Sequence, residues 1–216
     1  WNGSEGGSDR SCSDASAWAR WTRGWTAEEN RHGDLLNRYL YLSGRVALRS
    51  VEVTMQNLII KGFDPGTANT PYRGFVYTSL QERATKVSHH SVAKLARAAG
   101  DETLQLICNT IASDEARHER AYTNFMGYLF EQDPAGAVLA FRDVLQNQIM
   151  MPAQNMGGAA EPDLFDRFSA VAQRLGVYTA EHYAQIVTHL VERWRVESLA
   201  GLTGEAAAAQ EYVCTL

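Results

Sequence analysis

An all-α helical bundle is the fold this sequence predicts, and three observations carry that reading. Apolar residues recur at helical spacing in long stretches from Ala17 onward, and no stretch alternates β-branched residues with period two. Glycine, proline and capping residues interrupt the pattern where helices should start and stop. Two Glu-x-x-His units, Glu29/His32 in TAEENRHGD and Glu115/His118 in SDEARHER, each fall inside such a stretch.

Taken in order, residues 1–16 (WNGSEGGSDRSCSDAS) are rich in Gly, Ser and Asp and read as a flexible lead-in. Residues 17–216 read as one helical-bundle domain. Its first helix is expected from Ala17 to about Ser43, with Gly44 as the stop, and its second from Arg45 to Lys61, ended by Gly62. Residues 62–72, GFDPGTANTPY, have the composition of a loop. A third helix spans Gly74–Ala99 and stops at Gly100, and Asp101 caps a fourth that runs to about Glu131. Pro134 suits the first turn of a fifth, Ala135–Ile149. After the loop MPAQNMGGAAEP come helices near Asp163–Leu175, Ala180–Leu199 and Glu205–Tyr212, the middle one capped by Thr179. Helices of roughly 25–30 residues exceed the globular average and suit a bundle.

The bulk properties exclude several function classes. With 216 residues, 45% hydrophobic and 21% charged, the chain can bury a core. A net charge of -5 and a pI near 5.7 argue against a nucleic-acid partner. No apolar run approaches the roughly 20 residues of a membrane span, so a soluble protein with no membrane partner is expected. Cys12, Cys108 and Cys214 are odd in number and far apart, which opposes a disulfide framework or structural zinc and suits a reducing compartment. Cys108 falls on an apolar face and reads as core. The opening at Trp1, without an initiator Met or an Arg/Ser-rich presequence, predicts a chain trimmed at its N-terminus.

The chemistry lies in the Glu-x-x-His units. On a helix, i,i+3 spacing brings carboxylate and imidazole to one face, where both reach a common point. Trp25, Glu29, His32 and Leu36 share one stripe, and Cys108, Ile111, Glu115, His118 and Tyr122 share another. Burying such groups alone costs several kcal/mol, so they must be paired or ligated. A lone Glu82 in TSLQERAT stands on the third helix, with Thr85 one turn further on, within reach of a bound oxygen species. Two Glu-x-x-His helices and two helices with one glutamate each form the ligand set of di-iron carboxylate bundles. Glu29, His32, Glu82, Glu115 and His118 supply five of those six ligands. Carboxylate and imidazole without thiolate suit iron or manganese. Asp114 and Arg117, beside the second pair, either orient its ligands or are solvated helix charges. His89 and His90, with no carboxylate three or four residues away, read as exposed; His182 and His189 read as surface or packing residues.

The strings WTAEENRHGDLLNRYLYLSGRV, PYRGFVYTSLQERAT, IASDEARHERAYT, FSAVAQRLGVYTA and GEAAAAQEYVCTL closely resemble the plant soluble acyl-acyl-carrier-protein desaturases, from about Trp18 to Leu216. The resemblance implies a homodimeric, ferritin-like helical bundle with additional C-terminal helices, in the plastid stroma. It implies two Fe(2+) ions per protomer, and dioxygen and reduced ferredoxin as co-reactants. The reaction it implies is insertion of a cis double bond into a saturated acyl chain on acyl carrier protein. It makes Glu29 and Glu115 bridging ligands and His32, Glu82 and His118 terminal ones, matches Thr85 to a threonine on the oxygen side, and places Gly74 and Phe75 along the acyl channel. Two departures stand out. The family's sixth ligand, a glutamate on an upstream helix, is missing, and Glu5 lies in WNGSEGGS, which has no helical pattern. Gln146, Asn147 and Gln148 occupy the place of a basic cluster, which predicts weaker steering of an acidic carrier protein. A desaturase is therefore expected; the rival is a non-catalytic family member that dimerises or binds carrier with an incomplete iron site, and an iron-storage bundle ranks last.

Overall fold

The computed structural model of the chain describes residues 16–68, 70–147 and 151–216. Among them the regular structure is helical: α1 (Ala17–Ser43), α2 (Leu48–Lys61), α3 (Pro71–Ala98), α4 (Glu102–Gln132), α5 (Pro134–Gln146), α6 (Leu164–Arg174), α7 (Ala180–Arg193) and α8 (Gly204–Thr215). Short 3-10 turns cover Pro152–Asn155 and Val196–Ser198, and one isolated bridge joins Gly158 to Glu161. The expected lead-in, with Glu5 and Cys12, lies outside the described residues except for Ser16, and so does Gln148. No described helix is long and apolar enough to cross a membrane.

The chain divides into two compact units, Trp1–Val46 and Ala47–Leu216. The first is built on α1. Ser16 caps it by accepting a hydrogen bond from the Ala19 N–H at 3.0 Å, and Gly44, with φ 63°, takes the left-handed turn that ends it.

The second unit holds the other helices. Its first helix, α2, begins at Leu48 rather than at the expected Arg45, because Ala47 is still extended. It turns its polar side inward: Asn57 Nδ2 donates to the Met156 carbonyl at 3.2 Å and Lys61 Nζ to the Gly157 carbonyl at 2.5 Å. Pro71 at the first turn and the Thr70 hydroxyl, which accepts from the Arg73 N–H, start α3 three residues before the expected Gly74. Asp101 caps α4 as predicted, accepting from the Leu104 N–H at 2.9 Å. Helices α3 and α4 make the most extensive pairing in the unit.

The core of this unit gathers Val76 and Leu80 from α3, Met126 and Phe130 from α4, Val138 and Phe141 from α5, Leu190 from α7 and Val213 from α8. Each fully buried side chain of this size contributes about 1.5–3 kcal/mol. Trp194 packs edge-on to Phe141 at 5.0 Å and tilted on Phe130 at 5.4 Å, while its indole N–H donates to the Thr123 carbonyl at 3.0 Å. This seating corrects the expected end of α7: the helix stops at Arg193 instead of Leu199, and Arg195 takes a left-handed φ of 52°. Cys108 is core as read, 1% exposed, with burial pushing its thiol up to about 11.

Candidate metal centre

The predicted donors fall into two groups, one in each unit. On α1, His32 is buried, and its Nδ1 lies 3.6 Å from Glu29 Oε2, the contact that i,i+3 spacing allows. In the larger unit, Glu82 of α3 meets Glu115 and His118 of α4. These three are 2%, 3% and 1% exposed. His118 Nδ1 stands 3.3 Å from Glu82 Oε2 and 3.5 Å from Glu115 Oε2. One ligand atom from each of the three lies within 4.8 Å of the others, a spacing at which they could hold a metal ion.

The donor chemistry fits a cation. Two carboxylates face one imidazole in the interior, so ionising both leaves an excess of negative charge there. Such an excess is costly without a metal or a further positive group. Hard oxygen donors with one nitrogen match iron or manganese.

Around these donors the other predicted residues take specific places. Thr85 Oγ1 lies 3.1 Å from the Gln81 carbonyl and 3.0 Å from the Glu82 carbonyl, so its proton is engaged by the helix backbone. Asp114 is buried and pairs with the more exposed Arg117 at 2.8 Å, one turn along α4. Phe75, in the first turns of α3, packs on Tyr122 and Phe125 with ring centroids 6.1 and 5.5 Å apart. Beside Gly74 there is open space where a Cβ would stand. An apolar cavity of about 100 Å³, lined by Leu80, Ala84, Met151, Tyr178 and Ile186 among others, opens between α3 and α7. His90 is exposed and His89 half-buried.

Three roles were not foreseen. His182 completes a capping box for α7: its Nδ1 accepts from the Thr179 N–H at 3.2 Å, and the Thr179 hydroxyl accepts from the His182 N–H at 3.3 Å. The pattern Thr-x-x-His was a signal for it, with histidine standing where glutamate is usual. Glu119, 6% exposed, takes ion pairs from Arg83 and Lys86. Burial alone would raise its carboxyl, but the hydrogen bonds from Lys86 and Arg83 outweigh it and hold the group below the ordinary glutamate range. His189 of α7 faces the same carboxylate at 3.5 Å, and burial lowers its imidazole, as does the Arg83 charge.

The model of the family described as "Fatty acid desaturase" matches residues 1–216. The chain belongs to the fatty acid desaturase family. It is 59% identical, over 98% of its length, to the stearoyl-(acyl-carrier-protein) 9-desaturase 6, chloroplastic, of Arabidopsis thaliana, covering 54% of that protein. The corresponding desaturase of Spinacia oleracea is 58% identical, with 98% of this chain and 53% of the spinach protein covered. An acyl-(acyl-carrier-protein) desaturase of Cucumis sativus is 57% identical, with 98% and 54% covered. The chain thus spans about half the length of the curated relatives it matches. Membership of the desaturase family accounts for the all-α architecture, since this family has a ferritin-like helical fold.

Proposed function

We propose that this chain is the metal-holding part of a plastid acyl-acyl-carrier-protein desaturase, which inserts a cis double bond into a saturated acyl chain using dioxygen and electrons from ferredoxin. The observation that carries the reading is the buried Glu82, Glu115 and His118 cluster, on the two helices where the motifs predicted it, in a chain of this family. The family resemblance supports Glu29 and His32 as further ligands for two Fe(2+) ions, with one more glutamate expected from an upstream helix. When bound, the iron pair supplies dioxygen activation and removal of hydrogen from an unactivated methylene.

The residues of the chain do the rest. The carboxylates offset the metal charge, and the imidazoles add neutral donors. Asp114, buried and paired with Arg117 beside the second Glu-x-x-His pair, is proposed to help orient it. Thr85 would have to turn about χ1 to release its proton from the Gln81 and Glu82 carbonyls before it could donate to any other acceptor. Phe75, packed on Tyr122 and Phe125, gives a saturated chain an apolar, water-excluding wall. The named relatives are chloroplastic, which supports a plastid location; a stromal homodimer that accepts electrons from ferredoxin is part of the same proposal.

Turnover tests this reading. Iron-loaded protein, saturated acyl carrier substrate, reduced ferredoxin and dioxygen are expected to give an acyl product lighter by two hydrogens, and Glu115→Ala to give none. The second reading, a family member that binds carrier or dimerises without catalysis, is favoured by the neutral, exposed Gln146 and Asn147 where basic residues would steer an acidic carrier. Carrier binding and metal uptake without product would establish it.

A further inference from the structure

We propose that Glu119, Arg83 and Lys86 form a positioning clamp that fixes the register of α3 against α4 and so holds Glu82, Glu115 and His118 in coordinating geometry. The proposal rests on the metal reading above. Arg83 directly follows Glu82, Lys86 is one turn beyond it, and Glu119 directly follows His118. Consecutive helical residues point about 100° apart, which turns Arg83 and Glu119 to the flank of the donor cluster, while Lys86 lies one turn along the face of Glu82.

The arrangement uses both oxygens of one buried carboxylate. The Arg83 guanidinium binds Glu119 Oε1, and Lys86 Nζ binds Oε2 at 2.5 Å. The Glu119 side chain is 7% exposed, whereas those of Arg83 and Lys86 are 24% and 30% exposed. His189 of α7 approaches Oε1 to 3.5 Å and brings a third helix to the same point.

Apolar contacts alone between helices of 28 and 31 residues specify register less sharply, because dispersion contacts lack direction. A carboxylate gripped at two points specifies it more sharply. A slip by one residue advances a helix by about 1.5 Å and rotates it by about 100°, which would carry Glu82 out of its 3.3 Å contact with His118. Stability alone does not explain the triad, because well-packed apolar residues often replace a buried ion pair without loss. Specification of register next to a ligand cluster does explain it.

Co(II) titration of Lys86→Met and Lys86→Arg against the wild-type protein tests the clamp. Removing a cation beside the site would tighten Co(II) binding if only charge mattered. The clamp predicts the opposite: about 10-fold weaker binding by Lys86→Met with a changed ligand-field spectrum, and wild-type behaviour restored by Lys86→Arg. Amide exchange around residues 82–86 and 115–119 is expected to quicken in Lys86→Met while α8 keeps its protection. Lys86→Gln serves the same comparison if the apolar variant fails to fold. Co(II) binding as tight as wild type, or exchange unchanged at both segments, overturns the clamp. If the wild-type protein takes up no Co(II), the metal reading fails instead, and the exchange comparison alone decides the clamp.

Discussion

Replacing Glu115 with glutamine is expected to act in opposite directions on the metal-free and metal-loaded protein. Glu82 and Glu115 are 2% and 3% exposed, and their ligand oxygens lie within 4.8 Å of each other. With both ionised, two charges at that distance repel by about 3 kcal/mol at an effective dielectric of about 20. His118, 3.3 and 3.5 Å from the two carboxylates, offsets part of this, so relief of one charge is expected to stabilise the metal-free fold by about 1–2 kcal/mol. In a chain of this size that raises the melting temperature by about 2–8 °C. Metal binding adds about 2.7 kcal/mol to the wild-type protein at a hundredfold excess over Kd, and the variant loses most of that gain. Thermal unfolding followed by circular dichroism, with chelator and then with Co(II), reads both effects. A variant that melts below wild type in chelator, or that keeps the full metal-induced rise, refutes the reasoning.

Three further outcomes follow from the same structure. Phe141→Ala, at a fully buried position against Trp194, is expected to cost about 3–5 kcal/mol in chemical denaturation, and a loss below about 1 kcal/mol would mean the site collapses around the cavity. Thr179→Ala removes one arm of the α7 capping box and is expected to cost about 1 kcal/mol, read by the same method; no change would show that His182 alone sustains the cap. Asp143 is raised by burial but lowered more by its hydrogen bonds to Arg142 and Arg73, so its folded pKa lies below the ordinary aspartate value. The unfolded chain then takes up the proton more readily. The contribution is complete above the ordinary aspartate value of 3.8 and is lost as pH falls through the folded one. The stability gap between wild type and Asp143→Asn is expected to shrink across that acid range; a gap independent of pH contradicts it.

Local rules made most of the fold legible, and they failed where distant contacts took over. Gly44, Asp101, Pro134 and Thr179 mark helix boundaries by their own backbone and side-chain chemistry, and the structure uses each as predicted. Nothing local in Trp194–Leu199 breaks the helical period. That break comes from Trp194 seating between Phe130 and Phe141, with Gln210 Nε2 donating to the carbonyls of Val196 and Leu199. Likewise, i,i+3 spacing announced the Glu-x-x-His pairs, and Glu82 stood out as a lone glutamate one turn before Thr85. Glu119 stayed hidden because its partners lie 36 and 33 residues away, and a charged residue in a helix looks like a solvated face until the helices are packed.

Iron content after anaerobic Fe(II) loading tests the central claim most directly. The proposed desaturase reading predicts two irons per chain, reduced by Glu115→Ala. Zero or one iron per chain, or a content that Glu115→Ala leaves unchanged, would contradict it.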